Sequence, residues 1–435
     1  MRNPLIAAGL ALCALVVGAA AVQADGVTSL YYQELEKDGR VYVFNTPETF
    51  ASFNSSGEMG KSVTLIGKAE GGKTLVAENE TAVDLYLFKH DLPAYDRPTP
   101  EPVRPAKYPA TKIQGRFYGD VTHREIKNDD GTYDSGSGFG VDVKRFYLTV
   151  THQVDETWSA QFQSDIGDFG TKRYDVFVKK AYLQGKFSDA ATVRVGAADT
   201  PWIPFAEKMY TRRYFEQTQS DSLGFGTSSD WGIHLFGKLG SGLVDYQVSA
   251  VNGRSYSDPT RSESVDFEGR LAIAPIEGLT FGVGGYTGKR GRETKENPAK
   301  HTAERLNALV NFQADRFQIG GEWYETRNWT TVTSDDTDKS DGYSIWGDFD
   351  ITDSIAIFGR YDQGNPSKEL APDKELTYYT VGVEKEINKV FTAALAWKHA
   401  ETDGGAVRTG NGTIGEGSEI DGKYDEYGVW LVYDF

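Results

Sequence analysis

Residues Tyr424 to Phe435 alternate without a break: Tyr427, Val429, Leu431, Tyr433 and Phe435 share one face, and Glu426, Gly428, Trp430, Val432 and Asp434 the other. Period-two alternation of this kind suits a strand with an apolar medium on one side and water on the other. A chain whose most hydrophobic strand is its last, closing on an aromatic residue, is expected to use that end as a structural seam, since termini that pair with nothing usually fray. The constraint is severe, because a one-residue slip would turn every apolar side chain to the wrong face.

The same alternation recurs from Thr111 onward in about sixteen segments, the first near 113–125 and the last at 424–435. In the third, Trp158, Ala160, Phe162 and Ile166 oppose Ser159, Gln161, Gln163 and Asp165; in the fifteenth, Phe391, Ala393, Leu395 and Trp397 oppose Thr392, Ala394, Ala396 and Lys398. Taken singly, each would also fit a soluble sandwich with one wet face. The connections decide between the two. Tight turns at Asp155-Glu156, Ser188-Asp189, Gly240-Ser-Gly242, Thr352-Asp353 and Asn388-Lys389 alternate with long segments such as 126–140, 203–228, 289–302, 329–341 and 401–423. An even count with short turns at one end and long loops at the other predicts an all-β fold: an antiparallel transmembrane barrel of about sixteen strands. The mean hydropathy of −0.48 does not oppose this, because only alternate residues would meet lipid.

Three segments precede the barrel. Arg2, the apolar run from Leu5 to Val22 and the small residue Ala24 predict a secretory signal peptide over 1–24, with the single cysteine, Cys13, inside it. The remaining chain then has no cysteine for a disulfide or a thiolate-bound metal. Residues 25–92 read as a small ββαββα periplasmic module, with a hairpin around Asp38-Gly39 and helices starting after Thr46 and Asn79. Prolines 93, 98, 100, 102, 105 and 109 make 93–110 a stiff linker to the barrel at 111–435.

Lipid-facing charges cost about 2–4 kcal/mol at the midplane, so charged mid-strand residues are expected to line the lumen. Those of the first six strands are Arg116, Arg145, Lys180, Lys186, Arg194 and Lys238, with Asp120 and Asp165 as acidic exceptions. Those of the seventh to fourteenth are Asp245, Asp266, Glu268, Glu322, Asp348, Asp362 and Glu384, with Arg270, Arg305 and Arg360 as basic exceptions. One wall would be basic and the other acidic, giving either a transverse field across the pore or charges that pair with lumen neighbours. Alternation turns Lys144 and Lys179 toward lipid, which implies an altered register or snorkelling to an interface. A lumen this wide needs something folded into it to narrow it. The third long loop carries Glu207, Lys208, Tyr210, Arg212, Arg213, Tyr214 and Glu216 and is the expected constriction. Alternatively, Arg212 and Arg213 pin it to the wall through Glu207 and Glu216.

The run Lys179-Lys-Ala-Tyr-Leu-Gln-Gly-Lys-Phe187, with Arg194-Val-Gly196 and Thr200-Pro-Trp-Ile-Pro-Phe-Ala-Glu207, resembles the phosphate-selective porin O and P family of Gram-negative outer membranes. The resemblance spans roughly 111–435 and is clearest over 145–215. It implies a trimeric channel passing small hydrophilic solutes or anions, with Tyr433 and Phe435 read by the barrel-assembly machinery and lipid and lipopolysaccharide around the wall. This chain departs from the family's Arg- and Lys-rich lumen by being acidic overall, with 63 acidic against 46 basic residues and a net charge of −17. Such acidity argues against a nucleic-acid partner. The six histidines are scattered and complete no nucleophile motif, and Asn128–Asp134 and Asp335–Asp338 do not complete a calcium loop, so no enzyme, cofactor or metal is expected. A barrel sheathing a periplasmic electron-transfer partner is the other reading, and its redox groups would have to come from that partner.

Overall fold

The computed structural model describes residues 31–95, 108–168 and 174–435. The expected signal peptide, with Cys13, and most of the proline-rich stretch lie outside the described residues. The chain divides into two compact units, Met1–Pro105 and Ala106–Phe435.

The first unit runs β1 (Gln33–Lys37), β2 (Arg40–Phe44), α1 (Pro47–Ser56), β3 (Val63–Leu65), β4 (Thr74–Ala77) and α2 (Glu80–Lys89). This is the ββαββα order expected from the sequence. The strands lie in the order β1-β2-β4-β3, with β2 and β4 parallel. Asp38 and Gly39 both adopt positive φ, as a two-residue hairpin turn requires. The Thr46 hydroxyl accepts from Thr49 N to cap α1, and Asn79 accepts from Ala82 N to cap α2. Val41, Val43, Leu75, Ala77, Val83, Tyr86 and Leu87 form the core between sheet and helices.

The second unit is a closed antiparallel barrel of sixteen strands. They are β5 (Ala110–Asn128), β6 (Gly138–Gln153), β7 (Trp158–Asp168), β8 (Tyr174–Ser188), β9 (Ala191–Asp199), β10 (Ser229–Leu239), β11 (Val244–Val251) and β12 (Asp266–Ile276). The circuit continues with β13 (Leu279–Gly288), β14 (Ala303–Gln313), β15 (Phe317–Arg327), β16 (Lys339–Thr352), β17 (Ile355–Asn365), β18 (Glu375–Asn388) and β19 (Phe391–Asp403). The short strands β20 (Val407–Thr409) and β21 (Gly412–Ile414) form a hairpin in the last long loop, and β22 (Gly422–Asp434) returns to close the barrel.

Closure joins the last strand to the first: Val429 faces Val121, Tyr433 faces Phe117, and Phe435 and Gly115 exchange backbone hydrogen bonds. The Phe435 ring occupies the space above Gly115, where a Cβ would lie 2.0 Å from the ring. Glycine at 115 therefore makes the seat for the terminal aromatic.

Along β14 to β19 exposed and buried residues alternate almost perfectly. The outward set includes Leu306, Ile319, Ile345, Val381 and Leu395, each at least 51% exposed. A belt of this extent far exceeds the ~300–600 Å² apolar patch that a water-soluble monomer carries, so the medium around it is lipid. Aromatic side chains rim it at two levels. Trp323, Tyr343, Tyr361, Tyr379, Trp397 and Tyr427 stand toward the long loops, and Phe317, Phe349, Phe391 and Tyr433 toward the short turns. Trp397 and Phe391 on β19 are separated by roughly 20 Å of strand, which suits the ~25 Å apolar band of such barrels.

Besides register shifts next to short turns, two strands break the alternation in mid-strand. Tyr118 faces Arg145 while Gly119 faces Val143, leaving Lys144 as an extra residue in β6. Gln163 faces Lys180 while Ser164 faces Val178, leaving Lys179 extra in β8. Each is a β-bulge, which re-aims a side chain without shifting the strand beyond it. Of the two alternatives for Lys144 and Lys179, an altered register and snorkelling, the bulges are the altered register. Both turn to the lumen, Lys144 reaching Asp120 at 3.2 Å and Lys179 packing over Tyr147 and Tyr256.

Candidate functional site

The connection between β9 and β10 folds into the barrel. It contains α3 (Ile203–Tyr210) and α4 (Gln219–Ser222). Pro204 suits the first turn of α3, and Thr211, in the left-handed region at φ 67°, ends it. The apolar side of α3 packs as Trp202, Ile203, Ala206 and Tyr210 against Leu309 and Trp346 of the wall. Further along the loop, Phe215 packs edge-on to Phe358 and Trp430, and Phe225 lies against Tyr324. Aromatic residues on the inward faces of β15, β16, β17 and β22 therefore receive the loop.

The inward charges of β12 to β19 fasten it. Glu268 accepts from Trp202 N at 3.1 Å and Glu322 from Trp202 Nε1 at 2.6 Å. Arg305 bridges Glu268 at 2.7 Å and donates to Phe225 O at 2.6 Å. Arg360, held by Asp362, donates to Gln217 O at 2.5 Å, and Lys398 donates to Phe215 O at 2.8 Å and pairs with Glu216 at 3.0 Å. Arg212 leaves the loop to reach Asp348 at 2.6 Å and Glu384 at 3.3 Å, and Glu384 also accepts from the Tyr214 hydroxyl at 2.5 Å. Asn411, at the tip of the β20–β21 hairpin, donates to Glu216 at 2.8 Å. The wall expected to be acidic is thus engaged with the loop. Of the two arginines, Arg213 pairs with Glu207 at 2.6 Å as expected of a pinned loop, whereas Glu216 takes Lys398 in place of an arginine.

The remaining predicted residues fall at the margins. Asp245 pairs with Arg270, which also donates to Pro201 O at 3.0 Å. Arg194, Lys208 and Lys238 line a separate cavity of about 300 Å³ beside α3, with Arg194 stacked over Tyr182 and Phe236. Lys186 pairs with Asp189 at a short turn, and Asp266 accepts from Tyr286 and from Lys289 N at the long-loop end.

What stays open runs along β5 to β8. On the short-turn side lies a cavity of about 540 Å³ lined by Arg116, Tyr118, Tyr147, Lys179, Lys180, Glu207 and Arg213. On the long-loop side lies one of about 410 Å³ lined by Tyr118, Arg124, Lys144, Arg145, Arg213 and Tyr256. The two share Tyr118 and Arg213, so they meet between that tyrosine of the wall and that arginine of the loop. Most cations here have a carboxylate beside them: Arg145 with Asp165 at 2.9 Å, Lys180 with Asp199 at 2.5 Å, Arg124 with Glu426 at 3.1 Å, Arg116 with Asp434, and Lys144 with Asp120 and Asp142. Lys179 is the exception among the described residues. Its ammonium lies 5.7 Å from the centre of the Tyr147 ring and 4.6 Å from that of Tyr256, and no carboxylate of the described residues lies within ion-pair distance of it.

A closed sixteen-stranded barrel with an apolar outer belt and a loop folded into a charged lumen is the architecture of outer-membrane porins. Residues 111–205 match the model of the phosphate-selective porin O and P family, which bears out the resemblance carried by Lys179–Phe187 and Thr200–Glu207. The fold is similar to an anion-selective porin from Comamonas acidovorans, with TM-score 0.57, 11% identity, 75% of this chain and 100% of that one covered. It is also similar to the outer membrane channel DcaP of Acinetobacter baumannii, with TM-score 0.51, 12% identity, and 75% and 97% covered. Salmonella typhi OmpF in complex with daunomycin gives TM-score 0.51 and 12% identity, with 75% of this chain and 98% of that one covered. At such identities the likeness is one of fold. No curated protein sequence matches this chain.

Proposed function

We propose that this protein passes small hydrophilic solutes across the outer membrane by passive diffusion, with a weak preference for anions. The observation that carries this is the pair of lumen cavities meeting at Tyr118 and Arg213, one opening toward each end of the barrel. Nothing in such a pathway couples flow to an energy source, so the solute gradient drives it. The anion preference rests on Lys179, which has no ion-pair partner among the described residues and lines the larger cavity beside the Arg213–Glu207 pair. Around it cations and carboxylates largely balance, which supports a weak preference rather than the strong selectivity of the family's name, since paired charges present little net field to a passing ion.

Short turns face the periplasm in barrels of this class, and β5 begins and β22 ends at that side. We therefore place residues 31–95 in the periplasm, the long loops outside, and lipopolysaccharide around the outer belt. A homotrimer and recognition of Phe435 by the barrel-assembly machinery follow from the family resemblance. Planar-bilayer recording with purified protein tests the reading. A stable ohmic current in KCl, with a reversal potential displaced modestly toward that of chloride in a salt gradient, is expected, and silence would refute it.

A further inference from the structure

The open side of the lumen is lined by tyrosines as well as by charges. Lys179 stands where β8 bulges, and the bulge removes it from the alternating ladder and points it inward. Only 6% of it is exposed, and it lines the larger lumen cavity together with Tyr147. The Tyr256 ring, which stacks on Phe177 at 5.7 Å and 12°, covers its other side. Among the described residues the Tyr147 hydroxyl makes no hydrogen bond, so a cation and a free hydroxyl donor line one cavity.

Inorganic phosphate suits this arrangement poorly. A small, strongly hydrated dianion needs several unpaired donors to replace its water, and here the neighbouring cations are already held by carboxylates. A carboxylate on an aromatic ring suits it well. One ammonium and one hydroxyl satisfy its oxygens, and its ring packs offset or edge-on to tyrosine.

We propose that Lys179, with Tyr147 and Tyr256, forms a binding point for aromatic monocarboxylates on the solute path. This rests on the reading of the lumen as a diffusion channel and names the solute class that dwells in it. The test is block of KCl current through single channels of the full-length mature protein by benzoate, acetate and inorganic phosphate. Half-block by benzoate is expected at about tenfold lower concentration than by acetate or phosphate, the factor one added ring contact supplies. In Lys179→Gln, block by benzoate, normalised to that variant's own KCl current, should fall to the acetate level. Phosphate blocking as well as benzoate, or benzoate and acetate blocking alike, overturns the proposal while leaving the channel reading intact, and this comparison needs only the wild-type protein. Benzoate keeping its full advantage in Lys179→Gln also overturns it. Absence of any KCl current would refute the channel itself.

Discussion

Arg212 shows how a single side chain fixes the pore. It is 8% exposed and lies between Asp348 and Glu384, and its guanidinium also sits 5.0 Å from the Phe358 ring centre. Removing one partner of a buried ion pair costs about 3–5 kcal/mol, because the other charge is left uncompensated. Arg212→Ala should therefore loosen the third loop and give larger, flickering single-channel currents, and a steady wild-type conductance would show that the remaining bonds suffice. In the first unit, burial acts to raise the Glu34 carboxyl. Hydrogen bonds from Lys89, His90 and Tyr32 outweigh it and hold the pKa down at about 2. A depressed folded-state value means stability that is full above the unfolded value near 4.5 and is lost as pH falls toward about 2. Limited proteolysis of residues 31–95 should accelerate across that window, and Glu34→Gln should flatten the dependence. Neither arrangement was legible in the sequence, since Glu34 and His90, or Arg212 and Glu384, meet only through the fold.

At the scale of elements, the strands were legible because lipid outside and water inside impose a period of two that no other medium enforces along so many segments. Lys144 and Lys179 registered as misfits for a real reason: a bulge inserts one residue and leaves no mark in composition. The docking of the third loop also left a signal. Trp346, Phe358 and Trp430 stand on faces that should be wet, and an aromatic on the lumen face implies something packed against it. Which wall charges bind the loop and which meet solute depended on the loop's path, and no local pattern encodes that. The seam makes its own prediction. Gly115→Val would place a side chain where the Phe435 ring lies, and deleting Phe435 would empty the seat. Both should reduce the fraction of heat-resistant barrel seen by gel mobility, while barrels that do form keep near-normal conductance. Equal yields from both variants and wild type would show that the seam is not limiting.

For the whole molecule, the acidic composition concealed the character of the pathway. The chain carries a net charge of −17, yet carboxylates such as Glu268, Glu322 and Glu384 are occupied in holding the loop. The lumen left open is defined by what the loop does not cover, and there Lys179 stands without an ion-pair partner among the described residues, while the loop's Arg213 is paired with Glu207. The most direct measurement is the reversal potential of the purified protein in a planar bilayer across a tenfold KCl gradient, for wild type and Lys179→Gln. The account predicts an open, ohmic channel with a modest displacement toward the chloride potential, reduced or abolished in the variant. A displacement toward the potassium potential in wild type would contradict it.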